Sequence, residues 1–151
     1  MNNDGSVVVN CPIEDVFRLT INHVAEWSNV VVEDKLINDV NNGDVGTTFL
    51  SVTEDNGRRM EFQGEVIEHD PPHSSAIYMK GDMFNIDCQY QFEEVDGGTR
   101  VSQQSSVTPN GLITKLMFAI MGPFIARRGC DALEREFASL KEFCETHPSL
   151  Q

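Results

Sequence analysis

The sequence is poor in basic residues, with 11 Lys and Arg against 24 Asp and Glu, so its formal net charge is −13. Proteins bind nucleic acids and anionic membrane surfaces through basic patches, and this balance argues against both as partners. With 151 residues, of which 40% are hydrophobic and 23% charged, the composition predicts one globular domain covering residues 1–151.

Long hydrophobic runs are also missing. The longest nearly apolar run, Leu116 to Ala126, is interrupted by Gly122-Pro123. A membrane-spanning helix needs about 20 apolar residues, so we expect no membrane insertion. The first residues carry neither the basic cluster nor the apolar segment of a secretory signal. We therefore expect a cytoplasmic protein.

Closely spaced cysteines and catalytic signatures are absent as well. Cys11, Cys88, Cys130 and Cys144 are scattered, which disfavours a disulfide framework or a zinc knuckle and favours free thiols in a reducing compartment. The sequence contains no GxSxG, Walker-type, GxGxxG or HExxH motif. We therefore predict no metal site and no cofactor, and the absence of a catalytic signature leaves enzymatic activity uncertain.

A long stretch from Val30 to Val107 has the texture of β-strands broken by turn residues such as Asn56-Gly57, which predicts an antiparallel meander. In its clearest strand, Met83 to Glu94, apolar and polar side chains alternate strictly, as in a sheet that is packed on one side only. The residues predicted on the apolar face of the sheet are Met60, Phe62, Gly64, Val66, Ser75, Ile77, Met79, Phe84, Ile86, Cys88, Tyr90 and Phe92.

On both sides of this stretch, the sequence predicts helices. Pro12 and the acidic residues after it predict the start of a short helix, and a second short helix runs through Val24 and Trp27. From Ile113 to Cys144, apolar residues recur at i, i+3 and i+4, which predicts one long C-terminal helix or two segments joined at Gly122-Pro123. Because proline removes a backbone donor, we expect a kink or a break there.

Four short segments, in this order, resemble parts of one superfamily. Val45-Gly46-Thr47-Thr48-Phe49 resembles the entry to its third strand, Glu65 to Pro72 its "V-x-E-x-D-P-P" turn, and Asp96 to Val101 its "DGGTRV" hairpin. Leu133 to Glu145 resembles the end of its last helix. Over roughly residues 5–145 the chain resembles the START-like, or SRPBCC, superfamily, which includes the polyketide cyclase/dehydrase proteins and the pollen-allergen type of lipid carrier.

The resemblance implies an α+β helix-grip fold. In this fold a curved antiparallel sheet of about seven strands wraps around a long C-terminal helix, with two short helices between strands 1 and 2. A cavity between sheet and helix would bind an apolar ligand, with Trp27 and Phe49 near its mouth and Tyr90, Gln103 and Ser105 as polar groups that orient the ligand. The residues predicted to line the cavity are Trp27, Phe49, Met60, Phe62, Ile77, Met79, Phe84, Cys88, Tyr90, Gln103, Met117, Met121 and Phe124.

Three functions remain open at this point. The first is a carrier or sensor that binds a small hydrophobic molecule, such as a lipid or a polyketide-like compound. The second is a polyketide cyclase/dehydrase-like enzyme that uses the same pocket, with Tyr90 or a histidine as acid or base. The third is a co-chaperone-like module that binds a protein partner and whose pocket is collapsed. The sequence identifies no catalytic residue and no oligomeric state.

Two further groups of charged or titratable residues are either ordinary solvated residues or functional sites. His69 and His73 flank Asp70-Pro71-Pro72, where they are either solvated turn residues or a metal-binding or basic pair. Arg127-Arg128 is either a solvated helix face or an attractor of an anionic head group or acidic partner.

Overall fold

The computed structural model describes the backbone of residues 2–55 and 57–146 and, within these ranges, every side chain except those of residues 2, 55, 118 and 121–130. Over this part of the chain, seven antiparallel strands form one sheet; in sequence, two short helices lie between the first and second strands and a long helix follows the last. The elements are β1 (Asn2–Val9), α1 (Ile13–Asn22), α2 (Val24–Trp27), β2 (Val31–Asn38), β3 (Thr48–Asp55), β4 (Arg58–Asp70), β5 (Ser74–Lys80), β6 (Phe84–Val95), β7 (Gly98–Pro109) and α3 (Leu112–Thr146). The predicted helix-grip architecture is confirmed.

The sheet has the strand order β1-β7-β6-β5-β4-β3-β2, so β2 to β7 form a meander and β1 closes onto β7. The turn between β6 and β7 needs a residue with positive φ, and Gly97 supplies it at φ +83°. Gly98 is required for a different reason, because a Cβ there would lie 2.1 Å from the carbonyl oxygen of Val9. These two glycines allow the hairpin to turn and β1 to approach it closely.

The register of the strands confirms the predicted face assignment. Ile77 lies opposite Cys88, and Cys88 lies opposite Ser105, so the three side chains share one face of the sheet. We call this the inner face, because α1 and the second half of α3 pack on it, and we call the opposite one the outer face. A β-bulge between Val66 and Glu68 shifts the alternation in β4 and brings His69 to the inner face.

The core lies where α1, α2 and the second half of α3 cover the inner face. The ring of Phe17 in α1 meets Phe92 edge-on, with 5.0 Å between their centroids. Val9, Val101 and Leu140 are fully buried beside them. The buried residues of this cluster are Val9, Cys11, Ile13, Val16, Phe17, Leu19, Trp27, Phe92, Val101, Leu140 and Cys144.

The long helix α3 runs from Leu112 to Thr146 without a break, so the first of the two predicted forms, one long helix, is confirmed, and of the kink or break expected at Gly122-Pro123 the break is wrong. Both ends of the helix are tied to the sheet. Before its first turn, Asn110 donates from its backbone N to Met83 O at 2.7 Å, and near its end Lys141 Nζ donates to Val8 O at 2.9 Å. Pro123 removes one backbone donor, and the helix continues through it.

Candidate functional site

The inner face of the sheet has two ends that are covered to different extents. At one end Val9, Phe92 and Val101 are buried under the helices, and we call this the packed end. At the other end, toward the start of α3, the side chains are equally apolar but remain half-buried, so solvent reaches them. We call this the open end, and its half-buried residues are Met60, Ile77, Met79, Phe84, Ile86 and Val107.

The first part of α3 does not press on the open end. Of the described side chains in residues 112–120, only Thr114 is buried, at 7% exposure, while Leu112 and Ile113 are each 84% exposed. A helix that packed against the sheet would bury a continuous apolar stripe. The open end is therefore an apolar surface that the described side chains of residues 112–120 leave accessible to solvent, and we call it the inner groove.

A row of polar residues crosses the inner face between the two ends. His69, Ser75, Tyr90 and Gln103 lie opposite one another on four successive strands. The predicted inward direction of Tyr90 and Gln103 agrees with this register. Ser75 is buried, while the other three are half-buried. The row thus places hydrogen-bonding groups where the packed end meets the inner groove.

Tyr90 is the most perturbed member of this row. Its side chain is hydrogen-bonded to that of Cys88, and burial raises its pKa well above the ordinary value, with the charge of Glu136 from α3 adding to the effect. Burial also raises the pKa of the Cys88 thiol to about 12. Both groups are therefore neutral at physiological pH, so Tyr90 offers a hydroxyl donor and Cys88 is no thiolate nucleophile.

The carboxylate near Tyr90 is held in place by the segment that joins α2 to β2. Glu136 accepts hydrogen bonds from Ser28 Oγ and from the backbone N of Asn29, both at 2.5 Å. These bonds fix the second half of α3 over the sheet and place an acidic group beside the polar row. The sequence interpretation missed Glu136, although its spacing of three from Leu133 and four from Leu140 puts it on the sheet-facing side of the helix.

His69 does not lie in a solvated turn as expected. It belongs to β4, is half-buried, and its ring centroid lies 5.9 Å from that of Phe17. Its Nδ1 is buried and has no hydrogen-bond partner among the described residues. His73 is exposed in the following turn. Over the described part of the chain, no cluster of three or more potential metal ligands occurs.

A second ionisable group on the inner face was missed because β2 shows no clear alternation. Asp34 lies opposite Ser51, and Ser51 lies opposite Phe62, so all three share the inner face. Solvent reaches the Asp34 carboxyl, yet its neighbours remove part of its hydration and raise its pKa to about 6. Because the register of β2 is irregular at both ends, the alternation of its residues does not predict which face Asp34 lies on.

The predicted cavity residues divide between several places. Trp27 is not near a mouth but in the packed cluster, where it is 4% exposed and its Nε1 donates to Thr20 O at 3.1 Å. Phe49 is half-buried and covers Gly64 so closely that a Cβ there would lie 2.2 Å from its ring. Phe62 is buried on the inner face. Met117 is 36% exposed on α3, and the side chains of Met121 and Phe124 lie outside the described residues.

The outer face also carries a cleft, of about 760 Å³. It is lined mainly by polar residues of β1, β4, β6 and β7, among them Asp4, Glu68, Asp87, Gln89 and Gln104. Glu68 already accepts hydrogen bonds from Ser74 and Gln89 within this surface. The chemistry of this cleft is that of a solvated sheet face, in contrast to the apolar inner groove.

Comparison with known proteins identifies the family. The family model described as polyketide cyclase/dehydrase and lipid transport matches residues 4–145. The chain therefore belongs to this family, within the START-like, or SRPBCC, superfamily. Comparison with curated protein sequences gives no match. Among the described residues, no helix is long and apolar enough to cross a membrane.

Solved structures share the fold at low sequence identity. TTHA0849 from Thermus thermophilus is similar over 99% of this chain and 100% of its own, with a TM-score of 0.81 and 16% identity. A START superfamily protein from Mycobacterium smegmatis has a TM-score of 0.80 and 14% identity, over 96% of this chain and 97% of its own. The chain also matches half, 50%, of the di-domain ARO/CYC protein BexL from the BE-7585A biosynthetic pathway, over 100% of this chain, with a TM-score of 0.67 and 16% identity.

Proposed function

We propose that this protein binds a small hydrophobic molecule, such as a lipid or a polyketide-like compound, in the inner groove. One observation carries the proposal. The apolar side chains of the open end stay half-buried, although those of the packed end on the same strands are fully covered. Apolar surface that folding leaves accessible in a concave site is what an apolar ligand covers.

The polar row would orient such a ligand. Tyr90 and Gln103 offer a hydroxyl and an amide at the inward end of the groove, and Asp34 offers a carboxyl on the far side, on β2. A carbonyl or hydroxyl group of the ligand would bind Tyr90, while its apolar body lies along Met79, Phe84 and Ile86. The methionines suit this role because their flexible thioethers adapt to irregular shapes.

The test compares two faces of one strand. Phe84→Ala removes an apolar side chain from the inner groove, and Gln91→Ala removes an exposed polar one from the outer face of β6. We expect Phe84→Ala to change the affinity for a fluorescent apolar probe about tenfold, and Gln91→Ala to leave it unchanged. Equal effects from the two variants would contradict the proposed site.

A screen for the ligand complements the variants. Native mass spectrometry of the purified protein should detect a lipophilic compound, either carried through purification or accepted from a panel of lipids and aromatic polyketides. A protein that stays empty across such a panel would argue for the alternative of a partner-binding module. In that case Phe84→Ala would leave probe binding unaffected as well.

A cyclase/dehydrase-like enzyme is the second candidate, and the arrangement around Tyr90 favours it. A neutral tyrosine beside Cys88, with a carboxylate from Glu136 nearby, is a group that can donate a proton or a hydrogen bond to a bound carbonyl. Tyr90→Phe should then abolish conversion of a polyketide substrate while ligand binding persists. If Tyr90→Phe weakens binding and no substrate is converted by the original protein, Tyr90 only orients the ligand.

Two broader predictions go with this proposal. We infer that the chain acts as one domain over residues 1–151. We also infer a cytoplasmic location, since Cys11, Cys88 and Cys144 are buried free thiols, as expected in a reducing compartment.

A further inference from the structure

The first part of α3 exposes an unusual amount of apolar surface. Leu112, Ile113, Leu116 and Ile120 are between 63% and 84% exposed. They lie on adjoining turns of one helix, at intervals of one, three and four residues, so they form a contiguous apolar surface. No described element covers it.

The same segment also differs in charge from the rest of the protein. Residues 112–130 contain Lys115, Arg127 and Arg128 and no acidic residue. The remaining eight basic and all 24 acidic residues lie elsewhere, which leaves a charge of −16 outside the segment and +3 within it. The net charge of −13 therefore conceals a local basic and apolar helix, and it does not exclude an anionic surface as a partner of this segment.

We propose that Leu112, Ile113, Lys115, Leu116 and Ile120 of α3 form a docking surface for an anionic lipid bilayer. A helix that combines exposed apolar side chains with lysine and arginine and carries no acid binds at the boundary between lipid head groups and acyl chains without spanning the membrane. The acidic remainder of the chain is repelled by the same surface, so the protein would approach the bilayer with α3 foremost. This docking goes beyond the proposed ligand binding and does not depend on it.

The position of this segment would bring a bound membrane close to the inner groove. Its start is tied to the β5–β6 turn, where Asn110 Nδ2 donates to Gly81 O at 2.9 Å, and the second half of α3 is tied to β1 by Lys141. Between these anchors the helix lies beside the inner groove. A bilayer bound to this surface of α3 would therefore lie next to the groove, where an apolar ligand could pass between membrane and protein with little contact with water.

Charge also favours a bilayer over a second copy of the chain. A symmetric dimer through this surface would bring Lys115 of one copy toward the equally basic segment of the other. Like charges placed together oppose association. An anionic bilayer instead offers opposite charge and an apolar interior to the same surface.

Vesicle flotation tests the proposal with the full chain. We expect binding to phosphatidylcholine vesicles that contain phosphatidylglycerol to be about tenfold stronger than binding to pure phosphatidylcholine vesicles, and to weaken as salt is added. Ile120→Ser should lower the affinity about tenfold. Lys115→Glu should lower it about fivefold or more at low salt.

The matched control is Ile37→Ser on the edge strand β2. Ile37 is 61% exposed, against 74% for Ile120, so both changes remove the same apolar side chain from an exposed position. We expect Ile37→Ser to bind vesicles like the original protein. Circular dichroism and thermal melting check that both variants are folded.

Three outcomes would overturn the proposal. One is the absence of any binding to the phosphatidylglycerol vesicles, and another is an equal loss of binding in Ile37→Ser and Ile120→Ser. The third is a concentration-dependent dimer, seen by light scattering, that Ile120→Ser abolishes while vesicle binding is absent. None of these bears on probe binding in the inner groove, which the Phe84→Ala comparison tests separately.

Discussion

The packed end and the open end of the inner face are built from the same strands and the same kinds of residue, yet their side chains are buried to different extents. β6 contributes Phe92 to the packed end and Phe84 to the open end, and β7 contributes Val101 to one and Val107 to the other. At the packed end, α1, α2 and the second half of α3 bury these side chains. At the open end, the first part of α3 leaves them half-buried.

This difference shows that the alternation of a strand determines which face is apolar, but not what covers that face. A core and a binding groove can continue along one strand with no change in the period of its residues. The cover is decided by which part of a helix is held against the sheet. In this protein the hydrogen bonds of Glu136, Lys141 and Glu145 hold the second half of α3 close.

The largest expected effect is on the free energy of unfolding, and it comes from shortening one side chain at the packed end and one at the open end. Leu140→Ala at the packed end removes a fully buried side chain and leaves a cavity, so the free energy of unfolding should fall by about 3 kcal/mol. Met79→Ala at the open end removes a half-buried side chain and should cost about 1 kcal/mol or less. Urea denaturation monitored by circular dichroism measures both.

Similar losses from the two substitutions would show that the open end is as tightly packed as the other and would remove the basis for the inner groove. A control lies on the outer face, where Gln91→Ala changes an exposed residue of β6 and should alter stability by less than about 0.5 kcal/mol.

A substitution at Trp27 should have a smaller effect on stability, and it tests whether this residue belongs to the packed end or to the binding site. Trp27→Phe removes the hydrogen bond to Thr20 O within the packed cluster, so the free energy of unfolding should fall by about 1 kcal/mol. The affinity for an apolar probe should stay unchanged, because Trp27 lies away from the inner groove. A loss of probe affinity as large as that of Phe84→Ala would instead place Trp27 at the binding site, as the sequence suggested.

The smallest effect concerns Asp34 on the far side of the groove. Its pKa in the folded protein is about 6, above the ordinary 3.8, so the folded state keeps a proton that the unfolded state has lost between these values. Stability should therefore fall slightly as pH rises from about 4 to about 6 and then level off. NMR titration of the Asp34 carboxyl should show a midpoint near 6.

Asp34→Asn supplies the control for this titration. The variant should lose both the signal near pH 6 and the small decline in stability over the same interval. A midpoint close to the ordinary 3.8 in the original protein would mean that the Asp34 carboxyl is fully hydrated and takes no part in the groove.

The candidate site could be predicted in part. Strict alternation in β6 identified the inward direction of Tyr90, and the turn motifs identified the family before any coordinates. Asp34 escaped prediction because register irregularities disrupt the alternation of β2. Trp27, which the resemblance implied near the mouth of the cavity, lies in the packed cluster, because a shared fold does not specify which neighbours bury a given side chain.

Periodicity and turn residues, which act over a few neighbouring positions, were enough to determine the antiparallel meander, the faces of β5 and β6 and the long final helix of this protein. Contacts between residues far apart in the chain decided the rest: which half of α3 covers the sheet, that Glu136 reaches toward Tyr90, and that Leu112, Ile113, Leu116 and Ile120 remain in solvent. The physical reason is that local patterns specify which surfaces avoid water, while only packing in three dimensions specifies which of those surfaces find a partner.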